Sequence, residues 1–158
     1  MAKIHPDKKF QYFNNISNDV EITTIVREHG AFATNASFFC FLAAIGFRNG
    51  KKIKTKQRNN WGEVQGGTFD TTNLTSRIYA IALASEKDYS IIKDEDKCFS
   101  LFEEYVNGGF NFLLEFSTNY NDGTDFIDGL LEYVREISLD NAKHEDILDP
   151  VGGLDLEE

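Results

Sequence analysis

Apolar and polar positions along this chain repeat mostly with the helical period. From Thr34 onward Ala36, Phe38, Phe39, Cys40, Phe41, Leu42, Ala43, Ala44, Ile45 and Phe47 leave almost no polar face, and a helix that is apolar all round is a buried one. This segment predicts the central element. Thr34 or Asn35 can cap its start, Arg48, Lys51 and Lys52 suit the negative end of its dipole, and Asn49-Gly50 ends it. Another helix is expected from about 71 to 86, with Leu74, Ile78, Ile81, Ala82 and Ser85 on one stripe and Asp70 or Thr71 as cap. Cys98, Leu101, Phe102, Tyr105, Val106, Gly109, Phe112, Leu113 and Phe116 keep one rhythm across Gly108-Gly109. Either one helix runs from about 95 to 118 with a small residue at a close contact, or it bends or breaks at the glycine pair. After the turn signal Asn121-Asp122-Gly123, Thr124 can cap a last helix. Its apolar stripe is Phe126, Ile127, Leu130, Leu131, Val134 and Ile137, and Asp125, Asp128, Glu132 and Glu136 lie on the outer side.

The remaining segments are less regular. Phe10, Phe13 and Ile16 at spacing three predict a short lead-in helix over 7–15. In 18–29, Asn18 with Glu21 makes a capping box and Gly30 a helix stop, whereas Val20, Ile22, Thr23, Thr24, Ile25 and Val26 favour a strand; helix is the preferred reading. Residues 51–70 combine a basic run with Asn59-Asn60-Trp61-Gly62 and Gly66-Gly67, the composition of an extended loop or short hairpin pinned by Trp61, Val64 and Phe69. Beyond about Ser138 the stripe gives way to acids, Pro150 and Gly152-Gly153, so 139–158 is expected to be a mobile acidic tail following a helical domain over 1–138.

Length and composition narrow the class. At 158 residues, with 41% apolar and 13% aromatic side chains, the chain suits one packed domain. No apolar run reaches the ~18 residues needed to span a bilayer, and the start lacks the apolar core of a signal peptide, so a soluble cytoplasmic protein is expected. Cys40 and Cys98 sit in apolar helical patterns and are expected as buried free thiols.

Charge divides the chain in two. Residues 1–85 carry 11 basic and 6 acidic side chains, and 86–158 carry 5 and 20, for a net charge of −10. Arg48, Lys51, Lys52, Lys54, Lys56 and Arg58 fall within eleven residues that contain no acid, and Trp61 follows. Cations contact phosphates and an indole stacks on bases, so this run is a candidate site for DNA or an acidic partner; the plainer reading is a solvated loop anchored by its Trp. The net negative field disfavours general nucleic-acid affinity, so any DNA contact would be local. Glu103, Glu104, Asp125, Asp128 and Glu132 form the opposing candidate partner surface, or an ordinary solvent face.

No phosphate-binding loop, GxGxxG turn, CxxC, HExxH or GxSxG elbow is present, and His5, His29 and His144 are scattered, so no cofactor or metal site is expected. The acidic turn at 118–123 fails the calcium-loop register, because Thr118, Tyr120 and Gly129 occupy positions that need acidic ligands. Asp88 followed by Glu95-Asp96-Lys97 has the outline of a metal-dependent nuclease site, but the triplet opens a helix, whose positive end favours acids without any catalytic role.

Several stretches together resemble one family. Phe38 to Lys52, the Ile78-Tyr79-Ala80-Ile81-Ala82-Leu83-Ala84 helix and above all Phe102-Glu103-Glu104-Tyr105-Val106-Asn107-Gly108-Gly109 are similar to segments of the Dnd system-associated protein 4 family, small accessory proteins of DNA phosphorothioation systems. The resemblance covers about 32–137 and implies a cytoplasmic component of sulfur-modification or restriction machinery, an antiphage defence, with protein subunits of that machinery as partners. It supplies no catalytic motif.

The expectation is therefore an all-α domain of five or six helices with a buried central helix, non-enzymatic, acting through protein contacts and local DNA contact. The alternatives are an acidic DNA mimic that inhibits a DNA-binding enzyme and a metal-dependent nuclease using Asp88, Glu95 and Lys97.

Overall fold

The apolar helix that follows Thr34 packs against the long helix that runs through Gly108-Gly109, and this pair forms the centre of the described core. The computed structural model describes residues 3–5, 30, 32, 34–56, 64–71 and 73–148, of which 64 and 142–148 as backbone. The elements are β1 (Lys3–Ile4), α1 (Asn35–Arg48), β2 (Val64–Gln65), α2 (Gly66–Thr71), α3 (Thr75–Glu86), a 3-10 turn η1 (Tyr89–Lys93), α4 (Glu95–Ser117) and α5 (Gly123–Leu148). The fold is all-α. Among the described residues its departure is a two-residue antiparallel pairing in which Lys3 opposes Gln65 and Ile4 opposes Val64. The expected helices at 7–15 and 18–29, Arg58, Trp61 and residues 149–158 lie outside the described residues.

α1 begins where Thr34, in extended conformation, accepts a hydrogen bond from the Ser37 amide at 3.1 Å through its side chain, so Thr34 is the cap. The helix ends at Asn49, with Gly50 in the left-handed conformation at φ +64°. It is central, burying Phe38, Phe39, Leu42 and Ile45, but not wholly enclosed: Ala44 and Phe47 reach the surface.

α4 is one unbroken helix of 23 residues, about 35 Å long, capped by the Asp94 carboxylate on the Lys97 amide at 3.1 Å. The helix does not break at Gly108-Gly109. A Cβ on Gly109 would stand 2.0 Å from the Leu42 carbonyl oxygen, and one on Gly46 would stand 2.2 Å from the Tyr105 carbonyl oxygen. The two helices thus meet backbone to backbone at Gly46 and Gly109. Around this contact the rings of Phe38 and Phe39 meet the Phe110 ring edge to face at 5.8 and 6.4 Å, and Phe69 meets Phe102 at 5.6 Å. Each such fully buried ring contributes roughly 1.5–3 kcal/mol.

Three helix boundaries differ from expectation. Gly66-Gly67 opens the short helix α2 rather than belonging to an extended loop or short hairpin, so α3 starts only at Thr75, after Asn73 has adopted φ +58°. Asp70 therefore caps nothing at α3; its carboxylate takes the Thr75 hydroxyl instead, and Leu74 occupies the cap position without a side-chain bond. α5 starts at Gly123, one residue before Thr124, and is capped by the Asp122 carboxylate on the Asp125 amide at 2.8 Å. It also continues to Leu148, so the helical backbone outlasts its apolar stripe by about three turns. Phe126 of α5 is buried against Phe116, and the Tyr133 ring meets those of Phe112 and Phe116 at a tilt, with centroids 5.2 and 5.6 Å away.

Both cysteines are free and buried. Burial pushes the Cys40 thiol up to about 11, opposed by the Arg77 cation. Cys98 donates to the Ile91 carbonyl at 3.1 Å, and burial followed by the neighbouring Asp94 and Glu95 raises its pKa too.

Two outcomes follow from this packing. Gly109→Ala, whose new Cβ meets backbone that cannot swing aside, should lower the urea-unfolding free energy by about 3 kcal/mol. Gly50→Asn, at an open left-handed position that Asn tolerates, should change it by less than about 1 kcal/mol; equal effects would refute the close-contact reading. Because the folded Cys40 pKa lies above the ordinary value of 9.0, the neutral thiol's contribution is complete below pH 9 and is lost as pH rises toward about 11. Iodoacetamide at pH 8.5 should therefore label Cys40 only as fast as the protein opens, and rapid labelling of the folded chain would contradict its burial.

Candidate functional site

The most distinctive stretch of the sequence, Phe102 to Gly109, is almost entirely occupied in holding other parts of the chain. Phe102, Val106 and Asn107 are fully buried. Tyr105 meets Phe47 edge to face at 5.5 Å, and its hydroxyl lies 2.9 Å from Ser85 Oγ. Asn107 donates from Nδ2 to Thr55 Oγ1 at 3.0 Å and to the Ile53 carbonyl at 3.4 Å. The Glu104 carbonyl accepts the Ile53 amide at 3.0 Å. A Cβ on Gly108 would stand 1.8 Å from the Lys51 carbonyl oxygen, so this glycine admits the chain that leaves α1.

That departing chain, Lys51–Lys56, is a strap laid along α4. Its residues alternate in burial: Lys51, Ile53 and Thr55 are half-buried, and Lys52, Lys54 and Lys56 are exposed, the two-residue period of an extended chain. The basic run is therefore not uniform. Lys51 turns inward, donating to Asn111 Oδ1 at 3.2 Å and pairing with Glu115. Lys52 lies 3.8 Å from the Glu104 carboxylate and 5.9 Å from the Tyr105 ring centroid. Arg48 lies exposed in the last turn of α1, where a cation suits the negative end of the dipole.

The acidic candidates separate in the same way. Glu103 is 3% exposed and accepts the His5 backbone amide at 3.2 Å. It tethers the N-terminal strand and belongs to the interior, a correction to its expected place on a solvent face. Position 103 lies four after Phe99 and three before Val106, on the buried stripe of α4, and this spacing was the overlooked signal. Glu104 is largely covered, its side chain 16% exposed. On α5, by contrast, Asp125, Asp128, Glu132 and Glu136 are all exposed, and their spacings of three, four and four put them on one face. The structure thus brings part of the basic run onto part of the acidic set, leaving an outer lysine row and the α5 acid row on the surface.

The residues of the nuclease-like outline have structural occupations. Asp88 caps η1, accepting from Ser90 N and Oγ at 2.9 and 2.8 Å, and these bonds, helped by Lys97, hold its carboxyl below the usual range. Lys97 lies 3.7 Å from Glu86, and Glu95 sits exposed in the first turn of α4. Beside them, Leu83, Ala84, Lys87, Asp88 and Tyr89 line an open recess of about 430 Å³. Among the described residues no three His, Cys, Asp or Glu side chains are grouped so as to hold a metal ion.

Asn107, Gly108 and Asn111 were not anticipated as partners of the strap. Asn107-Gly108-Gly109 within an otherwise apolar helix was the available signal, because a buried Asn needs partners and paired glycines mark close approach.

No helix among the described residues is long and apolar enough to cross a membrane. No curated protein and no solved structure matches the chain. The profile of one family, described as DNA sulphur modification system-associated protein 4, matches residues 18–149 and so includes the strap, the Phe102–Gly109 stretch and the acid row. The chain belongs to the DNA sulphur modification system-associated protein 4 family.

Proposed function

We propose that this protein is a non-catalytic accessory or regulatory component of a DNA sulphur-modification system linked to antiphage defence, and that it works by docking to a protein subunit of that system. The observation that carries the proposal is the family match over 18–149. It is supported by the use of the family-like Phe102–Gly109 stretch, whose side chains are engaged in core packing and in holding the strap rather than gathered around an open cleft. The docking surface is the exposed row Asp125, Asp128, Glu132 and Glu136 on α5, with Leu131 beside it at 57% exposure. The four acids outnumber the exposed Arg135 on the same face, so the row suits a basic partner, steering its approach while the Leu supplies contact area.

The test is affinity purification of the tagged protein from its native cell, with and without nuclease, followed by mass spectrometry. Subunits of the sulphur-modification or restriction machinery should be recovered in both cases and lost with Asp128→Lys/Glu132→Lys. Recovery that disappears on nuclease treatment would replace protein docking with DNA bridging. The purified protein should also leave supercoiled plasmid intact in Mg²⁺ or Mn²⁺; nicking that is lost in Glu95→Ala would overturn the non-catalytic assignment.

A further inference from the structure

The acids of α5 do not stand alone on its outer side. Leu131, Arg135 and Leu139 follow one another at intervals of four and are all exposed, the two leucines at 57% and 58%. Asp128, Glu132, Glu136 and Asp140, also exposed, repeat at the same interval. Each residue of the first row lies three after one of the second, so the rows run side by side along the helix. The face is thus a pair of adjacent ridges with a groove between them, one apolar at both ends and one acidic throughout. Its leucines are about 12 Å apart along the axis. The rotation of α5 that turns this face outward is fixed elsewhere. Among the described residues the α5 side chains packed into the core are Phe126, Ile127, Leu130 and Tyr133, on the other side of the helix, and the Tyr133 hydroxyl accepts from Asn49 Nδ2 at 3.3 Å. Leu131 and Leu139 are left outside that core, on a backbone that a partner does not have to order.

We propose that this double ridge seats a basic amphipathic helix of the partner subunit, whose apolar side chains cover Leu131 and Leu139 and whose lysines or arginines face the acidic row. The inference rests on the docking reading above, to which it adds the form of the partner's element and two apolar anchors. The main-chain groups of α5 are bonded within the helix, so a partner segment cannot extend it as a strand and recognition runs through side chains. A helix presents apolar residues at the two-turn spacing of Leu131 and Leu139, and its own ridges fit the groove between the rows. Four acids against Arg135 call for cations on its flank. A second copy of this chain would set an acidic face on an acidic face in a protein of net charge −10, and a nucleic acid would meet the same repulsion.

The test uses the purified full chain and a fluorescein-labelled peptide of three heptads, about 21 residues, with Leu at a and d, Lys at e and g and Ala elsewhere. Binding is read by fluorescence anisotropy at about 50 mM NaCl. The wild type should bind it saturably and should bind a scrambled peptide of equal composition about tenfold more weakly. Leu131→Ser/Leu139→Ser should weaken binding by about tenfold or more, and Glu132→Gln/Glu136→Gln should weaken it and flatten its salt dependence. Ile92→Ser, which removes an exposed apolar side chain from η1, should stay within about twofold of wild type. Matching circular dichroism and urea midpoints establish that each variant is folded. The proposal is overturned by absence of saturable binding up to about 200 µM, by equal binding of the scrambled peptide, or by equal losses in Leu131→Ser/Leu139→Ser and Ile92→Ser. Sedimentation of the chain alone as a dimer that Leu131→Ser/Leu139→Ser dissociates would overturn it too, by assigning the face to a second copy. In the native cell, a subunit lost with Asp128→Lys/Glu132→Lys but kept with Leu131→Ser/Leu139→Ser would refute the helix seat and leave the docking reading standing. Recovery of no subunit by the wild type would instead be the failure of the docking reading.

Discussion

Gly46 and Gly109 let the two central helices touch through their backbones, and the rest of the structure depends on how close that contact is. Any side chain at either position would drive a Cβ to within 2.0–2.2 Å of a carbonyl oxygen on the facing helix, well inside van der Waals contact. Closeness here decides more than core density. It brings the C-terminal end of α1 directly over α4, so the chain leaving α1 is delivered onto that helix, and Gly108 leaves room for the Lys51 carbonyl. Asn49 then donates to the Tyr133 hydroxyl at 3.3 Å, which joins the same turn to α5. One crossing thus sets the places of α1, α4, the strap and α5.

Electrostatics follows from this geometry. The sequence has a basic run in its first half and an acid surplus in its second, and the fold lays one partly on the other through Lys51–Glu115 and Lys52–Glu104. These pairs are partly exposed, so each contributes at most about 1 kcal/mol. Their larger effect is on direction. Turning Lys51 inward puts the next same-side residues, Ile53 and Thr55, against α4 and leaves Lys52, Lys54 and Lys56 outside. The lysines left on the strap's outer edge and the acids along α5 form two surfaces of opposite sign, which suits a protein that acts by contact.

Long, strongly periodic segments were legible from the residues: α1 with Thr34 as one of two candidate caps, α4 running through the glycine pair as one of two alternatives, and the stripe of α5. Short elements were not. β1 and β2 have two residues each and η1 five, too few for a period to register, and Gly66-Gly67 reads locally as a turn although tertiary packing makes it the start of α2. The far end of α5 was missed because residues after Ser138 lose the apolar stripe while Ala142, Lys143 and Glu145 still favour helix. The candidate site was half legible. Composition located the charged residues, but which way each one faces depends on the strap's register and on the buried stripe of α4, and that is why Lys51 and Glu103 moved inward.

The most direct measurement of this account is amide hydrogen exchange at Lys51 and Ile53 in the wild type and in Asn107→Ala. The account predicts that both amides, bonded to the Gly46 and Glu104 carbonyls at 2.8 and 3.0 Å, are protected in the wild type. In Asn107→Ala the protection of Ile53 falls by about tenfold or more while that of Val106 and Leu113 in the body of α4 is retained. Exchange of Ile53 at the rate of an unstructured peptide in the wild type would contradict it, because the strap would then not be held on α4 and its lysines would have no fixed outward face.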